Sequence, residues 1–336
     1  MYIYNLQINM KKQKKESYVK NINDELIPKR IGKFLALDLF AGCGGLALGF
    51  EAAGFKTMGF EMDSDCCKTY NHNLNGKCQQ LLLTKDSNLP KADIIIAGPP
   101  CQPFSVRGKQ KGLKDSRDGF PIFISAVKRI KPTLFMFENV RGLLYKNKGY
   151  LDRILKELNN LGYKTEVNLM NTSDYGVPQN RQRVIVIGHK HKFNFPDKFN
   201  TKIISGEALV KIPKHNEEPR YLTPSMDKYI ARYEKASHCK VPRDLHLDRP
   251  SRTLTCRNIA AATSDMHRIV LPNGKRRMLF IREAARLQSF PDWFVFCGKK
   301  DSQFKQIGNA VAPYFSLQLA KKMREHLDNI HNSKSL

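Results

Sequence analysis

A strand that runs straight into a glycine turn and then a helix constrains this chain most. Phe34-Leu35-Ala36-Leu37-Asp38-Leu39-Phe40 is a compact apolar run, followed by Ala41-Gly42-Cys43-Gly44-Gly45-Leu46-Ala47-Leu48-Gly49-Phe50-Glu51-Ala52-Ala53-Gly54. The first segment reads as a buried strand, the second as a turn and helix with Gly54 as its stop. Gly42-x-Gly44-x-x-Ala47 has the spacing that lets a backbone approach an adenosine-containing cofactor. A second strand, Lys56 to Phe60, ends in Glu61, where a carboxylate can take both hydroxyls of a ribose. The competing readings are a tight turn that binds nothing and a nicotinamide enzyme.

The pattern repeats, which predicts a doubly wound, mostly parallel α/β sheet. Asp63 to Asn73 has helical spacing, and Gln80 to Leu83 reads as a short strand. Asp86 after it could bond the cofactor base or lie at the surface. Asp93-Ile94-Ile95-Ile96 is short and β-branched, and Ala97-Gly98-Pro99-Pro100-Cys101-Gln102-Pro103-Phe104-Ser105 ends it. Three prolines fix φ and remove N–H donors, so the segment holds up Cys101 with little freedom. Open α/β sheets put their active sites at such strand ends. Taken alone, a cysteine there is equally a buried core thiol. A helix over Ile122–Ile130 leads to a strand, Thr133 to Phe137, that ends in Glu138-Asn139-Val140. Cys101 and Glu138 on neighbouring strand tips could face one ligand. Gly149 to Leu161 is an amphipathic helix with a leucine-rich core stripe. After a strand over Lys164–Met170, Arg181 and Arg183 alternate at the start of another. Period two puts both on one face as fixed positive charge.

Charge narrows the partner. Among 336 residues, 57 Lys+Arg face 31 Asp+Glu, a formal +26 that favours a polyanion, nucleic acid over membrane. Val106 to Gly119 carries Arg107, Lys109, Lys111, Lys114 and Arg117 among glycines, a loop suited to gripping phosphates beside Cys101. No apolar run reaches the roughly 18 residues of a membrane span. Met1 to Arg30 has no apolar signal core, and the eight cysteines form no C-x-x-C pair. The expectation is a reduced, cytoplasmic protein without a metal site.

The length suits two domains. Residues 1–30 read as a basic, loosely ordered lead-in, 31–188 as the cofactor-binding and catalytic domain, 189–304 as a smaller irregular domain, and 305–330 as a segment returning to the first. Periodicity dissolves from His189 to about Leu247, apart from a helix near Ser225–Lys235. Arg252, Thr253, Arg257, His267, Arg268 and Lys275-Arg276-Arg277 sit on short extended pieces that read as a DNA-facing surface. A helix spans Ile281–Gln288, Trp293 packs in a core, and Asn309 reads as the cap of a closing helix, Tyr314 to Met323.

Taken together, eight blocks resemble the DNA (cytosine-5) methyltransferases, the bacterial restriction-modification type in particular. They are Asp38 to Gly45, Glu61, Gly98 to Ser105, Glu138 to Val140, Gln179 to Arg183, Arg252 to Thr255, Arg282 to Gln288 and Gly308 to Val311. The resemblance implies a Rossmann-like methyltransferase domain that uses S-adenosylmethionine, with a small target-recognition domain. It implies Cys101 as nucleophile, Glu138 as the acid at cytosine N3, and Arg183 with Arg181 as supports. It assigns Phe40, Gly42, Gly44, Gly45, Glu61, Asp86, Pro100, Asn309 and Val311 to the cofactor. Ser105, Arg107, Lys109, Arg252, Thr253 and Arg257 become DNA contacts. The implied partners are double-stranded DNA, with a restriction endonuclease as functional partner, and a monomeric enzyme in the bacterial cytoplasm. The chain departs from the family pattern at Asp118-Gly119-Phe120-Pro121. Two rivals share the scaffold: a tRNA cytosine-5 methyltransferase, whose Cys-Phe-Thr signature is missing, and a non-catalytic DNA-binding module.

Overall fold

The apolar runs of the first half become strands of one sheet in a computed structural model that describes residues 12–29, 32–100, 118–238, 242–260 and 265–333. The strands are β1 (Leu35–Leu39), β2 (Lys56–Glu61), β3 (Lys77–Gln80), β4 (Ile94–Ala97), β5 (Leu134–Val140), β6 (Lys164–Asn171) and β7 (Gln182–His189). Their order is β3-β2-β1-β4-β5-β7-β6, with β7 antiparallel to both neighbours and the other pairings parallel. The order reverses between β1 and β4, the switch point where such sheets open a crevice.

Both faces are covered, which is why the central strands are continuously apolar rather than alternating. Ala36, Ile94, Ile96, Leu134, Met136, Ile185 and Ile187 pack on one face. Against them lie α2 (Gly45–Ala52), α3 (Ser64–Asn73), α9 (Ile281–Leu287) and α11 (Pro313–Ser333). Leu37, Leu39, Ile95, Ala97, Phe135, Phe137, Val184 and Val186 point the other way, into α4 (Phe120–Ile130) and α5 (Lys148–Asn160). Asp63 caps α3 by accepting from the Cys66 amide.

The later part of the chain adds α6 (Ser205–Ala208), α7 (Pro224–Ala236), α8 (Cys256–Ala260) and the antiparallel pair β8 (Arg268–Val270) and β9 (Arg276–Met278). Ile230, Met266 and Met278 form a small core of their own. Leu254, Ile259 and Ile269 instead join the cluster under the main sheet. No described helix is long and apolar enough to cross a membrane.

Four features differ from the sequence reading. First, the lead-in contains α1 (Lys12–Glu25), and Tyr18, Ile22 and Leu26 are buried in the main core. The Tyr18 hydroxyl donates to the Arg286 carbonyl, and Trp293 Nε1 donates to the Asn23 carbonyl. A stripe of three apolar residues among lysines is enough to dock the helix, and the lysines hid it. Second, β3 lies three residues earlier than its apolar run, because an edge strand paired to Met58–Glu61 turns only Cys78 inward. Third, β5 runs on to Val140, which pairs with Arg183, so Glu138 is inside the strand rather than at its tip. Fourth, Asn309 ends a helix the sequence did not announce, α10 (Lys300–Asn309), and does not cap α11.

Candidate active site

The carboxyl ends of β1, β2 and β4 converge on the glycine turn. Phe40 leaves β1 with φ 59°, a left-handed value uncommon for a bulky residue. Gly44 starts α2 at φ 88°, and a Cβ there would meet the Tyr70 ring at 2.8 Å. At Gly45 a Cβ would lie 2.5 Å from the Val311 carbonyl oxygen, so the turn packs directly on the segment after α10. At Gly42 and Gly98 a Cβ would meet nothing within 4 Å among the described residues, so neither backbone is covered by them. Gly119 donates to the Pro100 carbonyl, and a Cβ on it would crowd the Pro100 and Phe40 rings at 2.6 and 2.9 Å. Gly119 thus fits where a side chain would not, and Tyr150 holds Asp118 through its hydroxyl.

Glu61 points back at this turn. Its carboxylate accepts from the Gly42 amide at 3.0 Å and from the Met62 and Asp63 amides at 2.8 and 2.9 Å. Asp38 is 1% exposed, beside the backbone of Ala47 at the start of the helix. Burial, reinforced by the charge of Glu61, pushes the Asp38 carboxyl well above the usual carboxylate range. A glycine backbone, a carboxylate at ribose-binding spacing and a second acid fit a cationic, adenosine-bearing cofactor such as S-adenosylmethionine. Asp86 is exposed in the loop after β3, its amide donating to Thr84 Oγ1, and no described bond joins it to Glu61 or the turn. Asn309 is exposed at the end of α10, and Val311 is half-buried.

Glu138 and Arg183 form an ion pair, Nε to Oε1 2.8 Å, with side chains 12% and 13% exposed. The β5–β7 register explains it. Val140 faces Arg183 and Glu138 faces Ile185, so Arg183 and Glu138 are diagonal neighbours on one face. Asn139 turns to the other face and donates from Nδ2 to the Pro99 carbonyl at 2.9 Å. Strand alternation therefore aims the acid and anchors the proline segment with consecutive residues. Cys101, Ser105, Arg107 and Lys109 lie outside the described residues.

Arg181 precedes β7 and behaves differently from Arg183. It is buried and donates to the carbonyls of Leu254, Gly308 and Ala310 at 2.6, 3.1 and 3.1 Å. Burial pulls its pKa down. No described bond links it to Glu138; it ties the glycine-contacting segment to Leu254. Gln179 and Gln288, which the sequence reading gave no role, extend this junction. Gln179 accepts from the Leu254 amide at 2.8 Å and contacts Gln288, which donates to the Ala310 carbonyl at 2.6 Å. Their sole sequence signal is a polar amide inside each matching block.

The expected DNA-facing surface is largely internal. Arg268 is buried between Asp244 and Glu234, at 2.5 and 2.6 Å. Arg277 pairs with Glu283 at 2.7 Å, and Arg276 with Asp227 at 3.1 Å. His267 is buried, and loss of hydration pushes its pKa down to about 3. Arg252 donates to the carbonyls of Arg243 and Asp265 at 2.9 and 3.2 Å, and Thr253 to that of Asn180 at 2.7 Å. Arg257 and Lys275 remain exposed.

Residues 34–325 match the profile of the C-5 cytosine-specific DNA methylases. The chain is 52% identical over 303 residues to the type II methyltransferase M.AplI of Arthrospira platensis, covering 88% of this chain and 87% of that one. It is 35% identical over 325 residues to M1.HphI of Haemophilus parahaemolyticus, with 85% of each covered. Among solved structures, the Entamoeba histolytica methyltransferase EhMeth superposes with a TM-score of 0.68 at 18% identity, covering 89% of this chain and 99% of that one; this similarity speaks to the fold. A profile spanning most of the chain, with relatives this similar over nearly all of it, makes the protein a member of the C-5 cytosine-specific DNA methylase family, whose methyl donor is S-adenosylmethionine.

Proposed function

We propose that the chain methylates C5 of one cytosine within a short double-stranded DNA sequence, flipping the base out and bonding it through Cys101. One observation carries the residue roles: Glu138 is held by Arg183, and the next residue, Asn139, anchors the segment leading into Cys101. The acid and the proline segment ahead of the thiol are thereby tied to one strand.

Cytosine C5 is a weak carbon nucleophile. Addition of the Cys101 thiolate to C6 breaks the ring's aromaticity and makes C5 enamine-like. Glu138 donates a proton at N3, which gives the electron pair somewhere to go. When bound, S-adenosylmethionine would supply the electrophilic methyl group that C5 takes, the S–CH3 bond breaking to leave a neutral thioether. A base then takes the C5 proton, the C5–C6 double bond re-forms, the thiolate leaves and N3 returns its proton to Glu138. Arg183 keeps Glu138 in place while N3 approaches. A stacked base cannot reach these groups, so extrusion comes first and costs a few kcal/mol.

For the cofactor, Gly42, Gly44 and Gly45 would offer backbone, Glu61 the ribose acceptor, and Phe40, Pro100 and Val311 an apolar wall; Asp86 and Asn309 complete the set by family position. Arg181 acts as a positioning residue. Ser105, Arg107 and Lys109 would close over the DNA, Arg257 would touch it, and Arg252 and Thr253 would order the recognition segment. The names of M.AplI and M1.HphI, both type II methyltransferases, support a role in protecting bacterial DNA from a cognate endonuclease. The enzyme would act as a monomer in the bacterial cytoplasm.

Bisulfite sequencing of DNA from cells expressing the chain tests this. The expected result is one short sequence motif with a protected cytosine, absent with Cys101→Ser. Protected cytosines in tRNA and none in DNA would overturn it.

A further inference from the structure

We infer that Arg141, held between Gln182 and Tyr145, grips a phosphate of the DNA strand that carries the target cytosine. This rests on the proposed function. Arg141 is the first residue after β5 and opens a one-turn 3-10 helix, Arg141–Leu143. The last β5–β7 pair is Val140 with Arg183, so Arg141 stands across from Gln182 just past the carboxyl end of β5, three residues after Glu138. Its Nη1 donates to Gln182 Oε1 at 2.9 Å, and its guanidinium carbon lies 5.6 Å from the centre of the Tyr145 ring.

Neither partner neutralises the charge. The arginines nearby use their donors internally: Arg183 on Glu138, Arg181 and Arg252 on carbonyls. Arg141 is exposed, has no described ion pair, and leans on a tyrosine that is itself 60% exposed. An amide and a ring thus orient an outward-facing guanidinium that no packing requirement explains. Such a fork, ordered before binding, loses less freedom on contact and matches phosphate geometry. Three residues of extended chain separate Arg141 from Glu138, about 10 Å. A flipped base stays tethered to its own flanking phosphates over a comparable span, so a strand delivering cytosine to Glu138 brings phosphate past Arg141. A phosphate grip positions the strand without reading sequence.

The test is DNA affinity as a function of salt for wild type, Arg141→Gln, Arg141→Lys and Tyr145→Ala, on specific and unrelated duplexes. Arg141→Gln is expected to weaken both duplexes about tenfold and to reduce the slope of log affinity against log salt by about one. Its kcat at saturating DNA and its affinity for S-adenosylmethionine stay at wild-type values. Arg141→Lys keeps the slope with a smaller loss, and Tyr145→Ala weakens binding with the slope intact, which also covers the case of a misfolded glutamine variant. An unchanged slope in Arg141→Gln, or a loss confined to one base pair of the target, overturns the inference. A wild-type chain that methylates no cytosine would instead remove the proposed function.

Discussion

The Asn139 side-chain amide and the Pro99 carbonyl are 2.9 Å apart, joining the strand of the acid to the segment of the nucleophile. Replacing Asn139 with alanine leaves the Pro99 carbonyl unpaired in a buried place, at a cost of about 1–3 kcal/mol. If Asn139 sets Cys101, Asn139→Ala lowers kcat at least tenfold while affinity for S-adenosylmethionine holds; single-turnover kinetics with isothermal titration separate the two.

Glu138 and Arg183 answer to different substitutions. Glu138→Gln keeps the shape and removes the proton donor, so methyl transfer falls by about 10²–10⁴-fold while DNA still binds. Arg183→Lys keeps a charge but loses the planar guanidinium, and its loss is smaller than that of Arg183→Ala. Equal rates for the two Arg183 variants would argue against orientation as its role.

Gly45 tests the contact between the glycine turn and the segment after α10. A Cβ there would lie 2.5 Å from the Val311 carbonyl oxygen, which is backbone and cannot rotate away. Gly45→Ala is expected to cost about 1–3 kcal/mol of stability and to weaken cofactor binding. Denaturant titration and cofactor titration read the two effects.

His267 predicts a pH dependence of stability. Its pKa is pushed down to about 3 in the folded chain, against about 6.5 when unfolded. Between those values the unfolded chain binds the extra proton, so stability is full above pH ~6.5 and falls as pH drops toward 3, by at most about 1.4 kcal/mol per unit. His267→Asn flattens that limb in urea titrations run between pH 7 and about 4. An unchanged slope would show that the acid limb has another source.

The sheet was legible because its strands are short apolar runs and its first turn has glycine spacing that few other structures need. The one-face placement of Arg181 and Arg183 followed from period two, but their division of labour did not. Arg181 meets carbonyls of Leu254, Gly308 and Ala310, far along the chain. Arg268 and Arg277 looked like DNA contacts because charge is visible in sequence while its neutralisation is not. The acids of Arg268 lie 24 and 34 residues upstream. The N-terminal helix escaped notice because Tyr18, Ile22 and Leu26 make a narrow stripe, readable only once the Arg286 and Trp293 surface exists to receive it.

The central claim is a covalent bond between Cys101 and the cytosine, assisted by Glu138. A duplex carrying 5-fluorocytosine at the target position tests it directly, since a C5 fluorine cannot leave as the proton does and the adduct persists. Intact-mass measurement after incubation with S-adenosylmethionine should show wild type joined to the DNA strand, Arg141→Gln joined at saturating duplex, and Cys101→Ser unmodified. An adduct on Cys101→Ser, or none on a wild-type enzyme that methylates ordinary cytosine, would contradict the account.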